Sequence, residues 1–510
     1  MDAFVSLMHG FEVLLTPVNM MYMVLGILFG ILLGFLPGVG GANGIAILLP
    51  LTFTMSPTTA VIMLAAIYWG ALFGGAISAI MFNIPGEPWS VATTFDGYPL
   101  AKMGRAGEAL TAALTSSFVG AFIAVLVLTF LAPVVAAFAL DFGPPEYFAV
   151  YLLTFCSFVG MGRQAPLKIL SAMMLGFVLS SVGTDNITGR LRLTFGTETL
   201  LTGFSFLIAV IGLFGIGEIL LTIEKGLAFE GKDAKMNPWV VLQTWAKLPK
   251  FWPTLLRSAA VGCWLGITPG GATPASFMGY GLAKRFSRNG HNFGNGELEG
   301  VVAPETAAHA AGTSALLPML TLGIPGSPTA AVLLGGLLIW GLQPGPLLFV
   351  EHKDFVWGLI ASIYLGNVVG LLIVLTTVPL WASIMRIPFS IIAPIIIVFC
   401  AVGSYTLSNA PSDLIFMVMF GIIGYLFKKL DYPLAPMVLA IVLGNRAEDS
   451  FRQAMVGAQG DIGIMWSNPL VGSITMLAMV MLFWPLLATL VARMRRSAKR
   501  DALLAERPVD

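Results

Sequence analysis

The sequence predicts an all-α polytopic membrane protein of about ten to twelve transmembrane helices, arranged as two homologous repeats with helices broken by glycine and proline. Three observations carry that prediction. Charge is scarce, it is missing from long stretches, and two Gly/Pro motifs recur in the same order in each half of the chain.

Of 510 residues, 27 are Lys or Arg and 26 are Asp or Glu, so 10% are charged, where a soluble domain carries about 25%. With 57% apolar residues and a mean hydropathy of +0.89, the polar surface is too small to cover a water-soluble body of this length. A formal net charge of +1, with no basic patch outside short loops, excludes a nucleic-acid surface. Cys156, Cys263 and Cys400 lie far apart in apolar runs, which excludes a disulfide framework and a zinc spacing. No Lys or Arg precedes Lys102, so the start lacks the basic region of a cleavable signal peptide and is expected to be retained. Phe4, Leu7, Met8, Phe11, Leu14 and Leu15 recur at helical spacing and predict a short amphipathic helix at the membrane surface.

The charge gaps locate the spans, because a charge at mid-bilayer costs at least about 2.5 kcal/mol. Between residues 13 and 95 the only charged side chain is Glu87; none occurs between Glu108 and Asp141, Arg257 and Lys284, Glu305 and Glu351, or Arg386 and Asp413. A last gap runs from 462 to 492. Lys225, Lys232, Lys235, Lys247 and Lys250 make residues 225–253 a basic linker, and Arg493, Arg495, Arg496, Lys499 and Arg500 make 493–510 a basic tail. Both are expected on the cytoplasmic side. They delimit a first membrane repeat, 1–224, and a second, 254–492.

The repeat rests on two motif pairs. GFLPGVGGANG (34–44) matches GITPGGATPAS (266–276), and FNIPGEPWSVATT (82–94) matches LGIPGSPTAAVLL (322–334). Gly34, Pro37 and Gly38 fall on Gly266, Pro269 and Gly270; Pro85, Gly86 and Pro88 fall on Pro325, Gly326 and Pro328. Such breaks leave backbone groups unpaired at membrane depth, which is tolerated only where the backbone lines a cavity or is buried in protein. Interrupted segments at matching positions point to a transporter's substrate site. The alternative is that the repeats only build two similar helix bundles, and the cost of the unpaired backbone groups stands against it. The motifs leave open whether the repeats are parallel or inverted.

Each break opens helix N-termini whose free N–H groups and dipole suit an anion. The candidate substrate-binding residues are therefore Gly38, Gly40, Gly41 and Asn43 in the first motif and Pro269, Gly270, Gly271 and Thr273 in its partner. The second pair adds Asn83, Pro85 and Gly86, with Pro325, Gly326 and Ser327. No Lys or Arg lies in 13–95, 258–283 or 306–350, so backbone N–H groups, hydroxyls and a co-bound cation must neutralise an anionic substrate. Candidate coupling-ion residues are Glu87, Asn83, Thr93, Glu305, Thr313 and Ser314, since an intramembrane acid is a functional candidate by default. Alternatively, Glu87 caps the helix that follows it, Glu305 caps a helix starting at Thr306, and His309 is a structural hydrogen-bond partner. The acids Asp185, Glu198, Asp413, Glu448 and Asp449 beside Arg190, Arg192, Arg446 and Arg452 read as solvated ion pairs in polar loops. There is no GxxxxGK[ST] loop, no HExxH, no Cys/His cluster and no GxSxG elbow, so neither ATPase, metal nor serine-hydrolase chemistry is expected and the chain is not expected to be an enzyme.

GILLGFLPGVGGANGIAILLPLTF, GGAISAIMFNIPGEPWSVATTFDGYPLAKMGRAG, PETAAHAAGTSALLPMLTLGIPGSPTAAVLLGGLLIWGLQPGP and FGIIGYLFKKLDYPLAPMVLAIVLG resemble the large membrane subunit of the bacterial tripartite tricarboxylate transporters. The resemblance implies a small membrane subunit and a periplasmic solute-binding protein as partners. It also implies an inner-membrane location and uptake of an organic di- or tricarboxylate with a Na⁺ or H⁺ gradient. It covers the breaks at Gly38, Gly40, Gly41, Pro269, Gly270 and Gly271, and at Asn83, Pro85, Gly86, Pro325 and Gly326. His309 departs from it, standing where Asn or a small polar residue is expected. A stand-alone carboxylate carrier or exporter of the same architecture is the alternative.

Overall fold

The computed structural model of the chain describes residues 2–36, 40–83, 85–161, 165–185, 187–225, 237–268, 271–384 and 389–484. The described residues are almost wholly helical, with a single two-stranded antiparallel hairpin, β1 (Gly183–Thr184) and β2 (Leu191–Arg192).

In the first half, α1 (Asp2–Leu14) precedes α2 (Pro17–Phe35), and α3 (Gly40–Leu48) continues as a 3-10 turn through Thr54. α4 (Pro57–Phe82) follows, its N-terminus capped by Ser56, which accepts from the Thr59 N–H. α4 stops at Asn83, whose left-handed backbone (φ 58°) cannot extend a helix. Then come α5 (Val91–Lys102), α6 (Ala106–Ala139), α7 (Pro144–Met161) and α8 (Pro166–Ser180). α9 (Phe206–Val210) passes through a π-helical turn, Ile211–Ile216, into α10 (Gly217–Lys225). Part of the predicted linker is a docked helix, α11 (Pro238–Lys247), whose Trp245 indole donates to Thr115 of α6 at 2.9 Å and whose Lys247 meets Glu108 at 2.6 Å. Lys232, Lys235 and the tail 493–510 lie outside the described residues.

The second half contains α12 (Trp252–Gly266), α13 (Ala272–Phe286), α14 (Glu299–Ser314), α15 (Leu316–Leu322) and α16 (Pro328–Ile339). α17 (Leu348–Glu351), α18 (Lys353–Ile384), α19 (Phe389–Ser408), α20 (Pro411–Lys429), α21 (Leu434–Gly457) and α22 (Pro469–Trp484) complete it. Among the described residues six helical stretches are long and apolar enough to cross a membrane, in α2, α4, α6, α9–α10, α18 and α20, and further apolar helices, α3, α8, α16 and α22 among them, are shorter. The shortness of α3 and α16 follows from the breaks that bound them. α1 is where its periodicity predicts, with Phe4 and Met8 exposed and Gly10 against the Trp357 carbonyl of α18.

Glycines set the closest helix contacts. Gly26, Gly30 and Gly34 of α2 face the carbonyls of Met63, Ile67 and Ala71 of α4, and an added Cβ would lie 2.1–2.5 Å from those oxygens. Gly262 and Gly266 of α12 face the carbonyls of Ala307 and Ala311 of α14 at 2.4 Å in the same sense. Small residues allow this approach where lipid offers no hydrophobic drive between helices. Gly30 and Gly34 occupy the motif positions of Gly262 and Gly266, and the carbonyls they face correspond likewise.

The order of these contacts gives the helix directions. α2 runs with α4, and α12 runs with α14. α6 runs with α14, since Ser117 meets Glu305 and Ala124 clusters with Ala310. α18 runs with α4, since Gly358 faces Thr58 and Gly370 faces Phe73. The late residue Thr129 of α6 meets the early residue Tyr364 of α18 at 2.8 Å, and Asp96 of α5 binds residues 294–297 just before α14 begins. The path from α4 through α5 thus ends where α14 starts, and the α2/α4 pair runs opposite to the α12/α14 pair. The core sits where the pairs meet: the apolar window of α4 is entirely buried, whereas α6 and α20 turn Phe130, Val134, Ile415 and Ile422 outward.

Candidate functional site

The four breaks converge. In the first half, the Glu87 carboxylate turns away from its own helix and accepts the Gly41 N–H at the start of α3. Gly40 has φ +64° there, and a Cβ on it would lie 2.9 Å from Glu87 Oε1, so both the backbone conformation and the carboxylate demand glycine. A Cβ on Gly86 would lie 2.1 Å from the Gly34 carbonyl oxygen, and one on Gly326 would lie 2.9 Å from the Gly266 carbonyl oxygen. Each second-motif glycine is therefore seated against the equivalent first-motif residue of its own half.

Contacts between the halves are reciprocal. α3 packs against α16, where the methyl group of Thr329 is 3.3 Å from a Cβ position on Gly41. α13 packs against the Pro88–Ser90 turn, and Ser276 donates to the Trp89 carbonyl at 2.7 Å. Tyr68 of α4 donates to the Gly312 carbonyl of α14 at 3.0 Å and meets the Ser327 hydroxyl at 3.3 Å. Ser327 caps α16, accepting the Ala330 N–H at 3.0 Å. The result is a buried crossing of helix ends supplied with N–H groups, hydroxyls and one carboxylate, and with no Lys or Arg in any of the four motifs. Such termini bind anions by backbone donors and dipole.

A second polar cluster lies beside it on α14. Glu305, 1% exposed, accepts Thr93 of α5 at 2.6 Å and Ser117 of α6 at 2.9 Å. His309 sits one turn on, with Nδ1 3.1 Å from the Glu305 carbonyl and 3.5 Å from its carboxylate. Thr313 continues the same face one turn further and Ser314 follows it, both buried.

Some expectations need correction. Glu305 does not cap a helix at Thr306: α14 begins at Glu299, because the preceding turn is set by Asp96. Glu87 occupies the cap position of the turn that follows it, yet its side chain makes no cap bond there. Glu448, Asp449, Arg446 and Arg452 lie within α21 rather than in a loop, and Asp185 and Asp413 are buried. Asp185 joins Arg192 and Arg452, which also bind Glu448. The Ile187 N–H, together with Arg452 and Thr188, holds the Asp185 carboxyl below the usual carboxylate range.

Of the predicted site residues, Gly40, Gly41, Pro325, Gly326, Ser327, Gly86 and Glu87 are buried at the crossing, while Asn43, also buried, lines a small cavity with Phe214, Glu218 and Ile396. Pro85 is half-buried beside them. Gly271 lies at the third break, where a Cβ would strike the Leu265 carbonyl at 1.7 Å, and Thr273 is half-buried at the start of α13. Asn83 is exposed. Thr93, Glu305, Thr313 and Ser314 belong to the α14 cluster rather than to Glu87. Gly38, Pro269 and Gly270 lie outside the described residues. Sequence reasoning passed over Tyr68, Ser117 and Asp96, which sit amid or beside apolar runs without a local motif. A cavity of about 430 Å³ with a mainly apolar lining lies elsewhere, between α7, α8, α21 and α22.

A family model described as the tripartite tricarboxylate transporter TctA family matches residues 20–439. A protein of Agrobacterium vitis described as an uncharacterized 52.8 kDa protein in the TAR-I ttuC' 3' region is 37% identical over 508 residues, 99% of each chain. A second from the same organism, an uncharacterized protein in the TAR-II ttuC' 3' region, is 35% identical over 246 residues, covering 48% of this chain and 99% of its own. No solved structure matches the chain.

Proposed function

The chain belongs to the tripartite tricarboxylate transporter TctA family, and from that membership we propose that it imports an organic di- or tricarboxylate as the large subunit of a secondary transporter. The substrate is delivered by a periplasmic solute-binding protein, a small membrane subunit completes the complex, and a Na⁺ or H⁺ gradient across the bacterial inner membrane drives uptake. The observation that carries this reading is the crossing of four interrupted helices from two oppositely directed pairs, with no basic side chain in any break. Opposed repeats with broken helices at their interface are a recurrent transporter plan.

In this reading the substrate's carboxylates face the N-termini of α3, α13 and α16 and the hydroxyls of Ser327 and Tyr68. The coupling ion offsets their negative charge. Pairs of helices meeting end to end can rock against each other about the Ser276–Trp89 and Tyr68–Gly312 contacts, exposing the crossing to one side at a time. Reconstitution of the complex in proteoliposomes tests it: substrate accumulates when an ion gradient is imposed, without ATP, and only with the binding protein present. Accumulation that persists with both gradients collapsed refutes the coupling. Transport by the chain alone refutes the tripartite assignment.

A further inference from the structure

We propose that the coupling ion is a proton and that the buried pair Glu305 and His309 holds it, a reading that rests on the transport function above. The two side chains stand one turn apart on α14, each 1% exposed. His309 Nδ1 is 3.5 Å from Glu305 Oε2. The other groups on the carboxylate are neutral hydroxyls, Thr93 on Oε1 and Ser117 on Oε2. Among the described residues no Lys or Arg forms an ion pair with Glu305. The second imidazole nitrogen, Nε2, is buried without a hydrogen-bond partner among them, and the Phe73 ring lies 5.3 Å from the imidazole.

An ionised carboxylate in such surroundings, with only neutral donors, is strongly disfavoured. One proton removes the imbalance. Placed on Glu305 it leaves two neutral groups; placed on His309 it makes an ion pair of net charge zero. Without that proton the pair carries −1 in a dry interior. The site therefore holds one proton whenever it is closed to water and releases it when opened to the less acidic side. Beside the two hydroxyls the carboxylate has an imidazole nitrogen at 3.5 Å, a group that exchanges a proton with it near neutral pH and is a poor ligand for Na⁺.

The pair is placed to report to the substrate crossing. Thr93 belongs to α5, which leads away from the Glu87 break. Three residues beyond His309, the Gly312 carbonyl accepts Tyr68, whose hydroxyl meets Ser327 of the fourth break. Several other titratable groups on helices packed against α14 are engaged elsewhere. Asp96 of α5 binds residues 294–297 and Tyr280 of α13. Glu108 of α6 binds Arg105 and Lys247, and Thr254 of α12 binds Glu299. Cys263 of α12 lies with Ala310, and Glu87 holds Gly41.

The test uses the reconstituted complex and two readouts, counterflow of substrate without any gradient and accumulation under an imposed pH or Na⁺ gradient. One coupled proton raises accumulation about tenfold per pH unit, acid on the entry side. In the wild type the pH gradient is expected to drive that accumulation. In Glu305→Gln the ratio of accumulation to counterflow falls to its gradient-free value, and in His309→Gln the pH profile of uptake shifts. Substrate binding to the detergent-solubilised wild-type complex in weak buffer is expected to take up about one proton, which keeps the test independent of whether Glu305→Gln folds. Accumulation that follows the Na⁺ gradient and ignores pH, or pH-driven accumulation surviving in Glu305→Gln, overturns the proposal. Absence of wild-type counterflow refutes the transport function itself and is distinguishable from either.

Discussion

Replacing Gly86 by alanine probes the crossing most directly. The added Cβ would lie 2.1 Å from the Gly34 carbonyl oxygen, 2.9 Å from the Gly75 Cα and 2.9 Å from the Ser78 hydroxyl. Two of those three atoms are backbone, and real Cβ contacts essentially never fall under 3.0 Å, so the break must retreat from α2 and α4 by about 1 Å. A gap of that size forfeits about a quarter to a half of each dispersion contact along its edge, and overpacking of a tight core costs about 1–3 kcal/mol. The equivalent change Gly326→Ala meets Ala315 Cβ at 2.8 Å and the Gly266 oxygen at 2.9 Å, so it is expected to cost less. Gly457→Ala, in helix with nothing within 4 Å, serves as the control. Thermal unfolding of the purified complex and substrate uptake in proteoliposomes are expected to rank Gly457→Ala as unaffected, then Gly326→Ala, then Gly86→Ala as the most impaired. If Gly86→Ala unfolds and transports like Gly457→Ala, the close seating of the second break against the first is wrong.

Further outcomes follow from other contacts. Asp96 is fully buried and accepts three backbone N–H groups and the Tyr280 hydroxyl; Asp96→Ala leaves those donors unpaired, at about 1–3 kcal/mol, and hydrogen exchange is expected to rise across residues 287–298. Ser276→Ala removes one hydroxyl donor between the halves, about 0.5–1.5 kcal/mol, and is expected to slow uptake while leaving assembly, read by size-exclusion chromatography, intact. The Asp185 carboxyl titrates below its unfolded value, so its contribution is fully present above about pH 4 and is lost as pH falls through the depressed folded value. The hairpin and the adjoining α21 should therefore hold unchanged between pH 7 and pH 5 and loosen only in stronger acid, a difference that hydrogen exchange detects and that Asp185→Asn should abolish.

Reading the breaks from the sequence worked because glycine and proline act on their own backbone. Asn83 and Gly323 adopt positive φ at the helix stops, which is where the second motif pair lies. Glu305 went the other way. Its capping reading put a helix start at Thr306, but Glu305 lies inside α14, in a helix whose preceding turn is held by Asp96, some 200 residues earlier in the chain. Ser117 and Tyr68 carried no signal, since a hydroxyl in an apolar helix commonly bonds its own backbone and only a partner from another helix gives it another role.

By itself the sequence determined the membrane character, the paired motifs and the lack of basic residues around them. These are properties of composition and of local backbone preference, which survive whatever the helices pack against. The tertiary structure alone decided that the two helix pairs run in opposite directions and that the four breaks cross. It also decided that Glu305 is held by Thr93 and Ser117 from 212 and 188 residues away. Those are matters of which surfaces meet, and in lipid that choice rests on close packing between small residues, whose partners no single segment names.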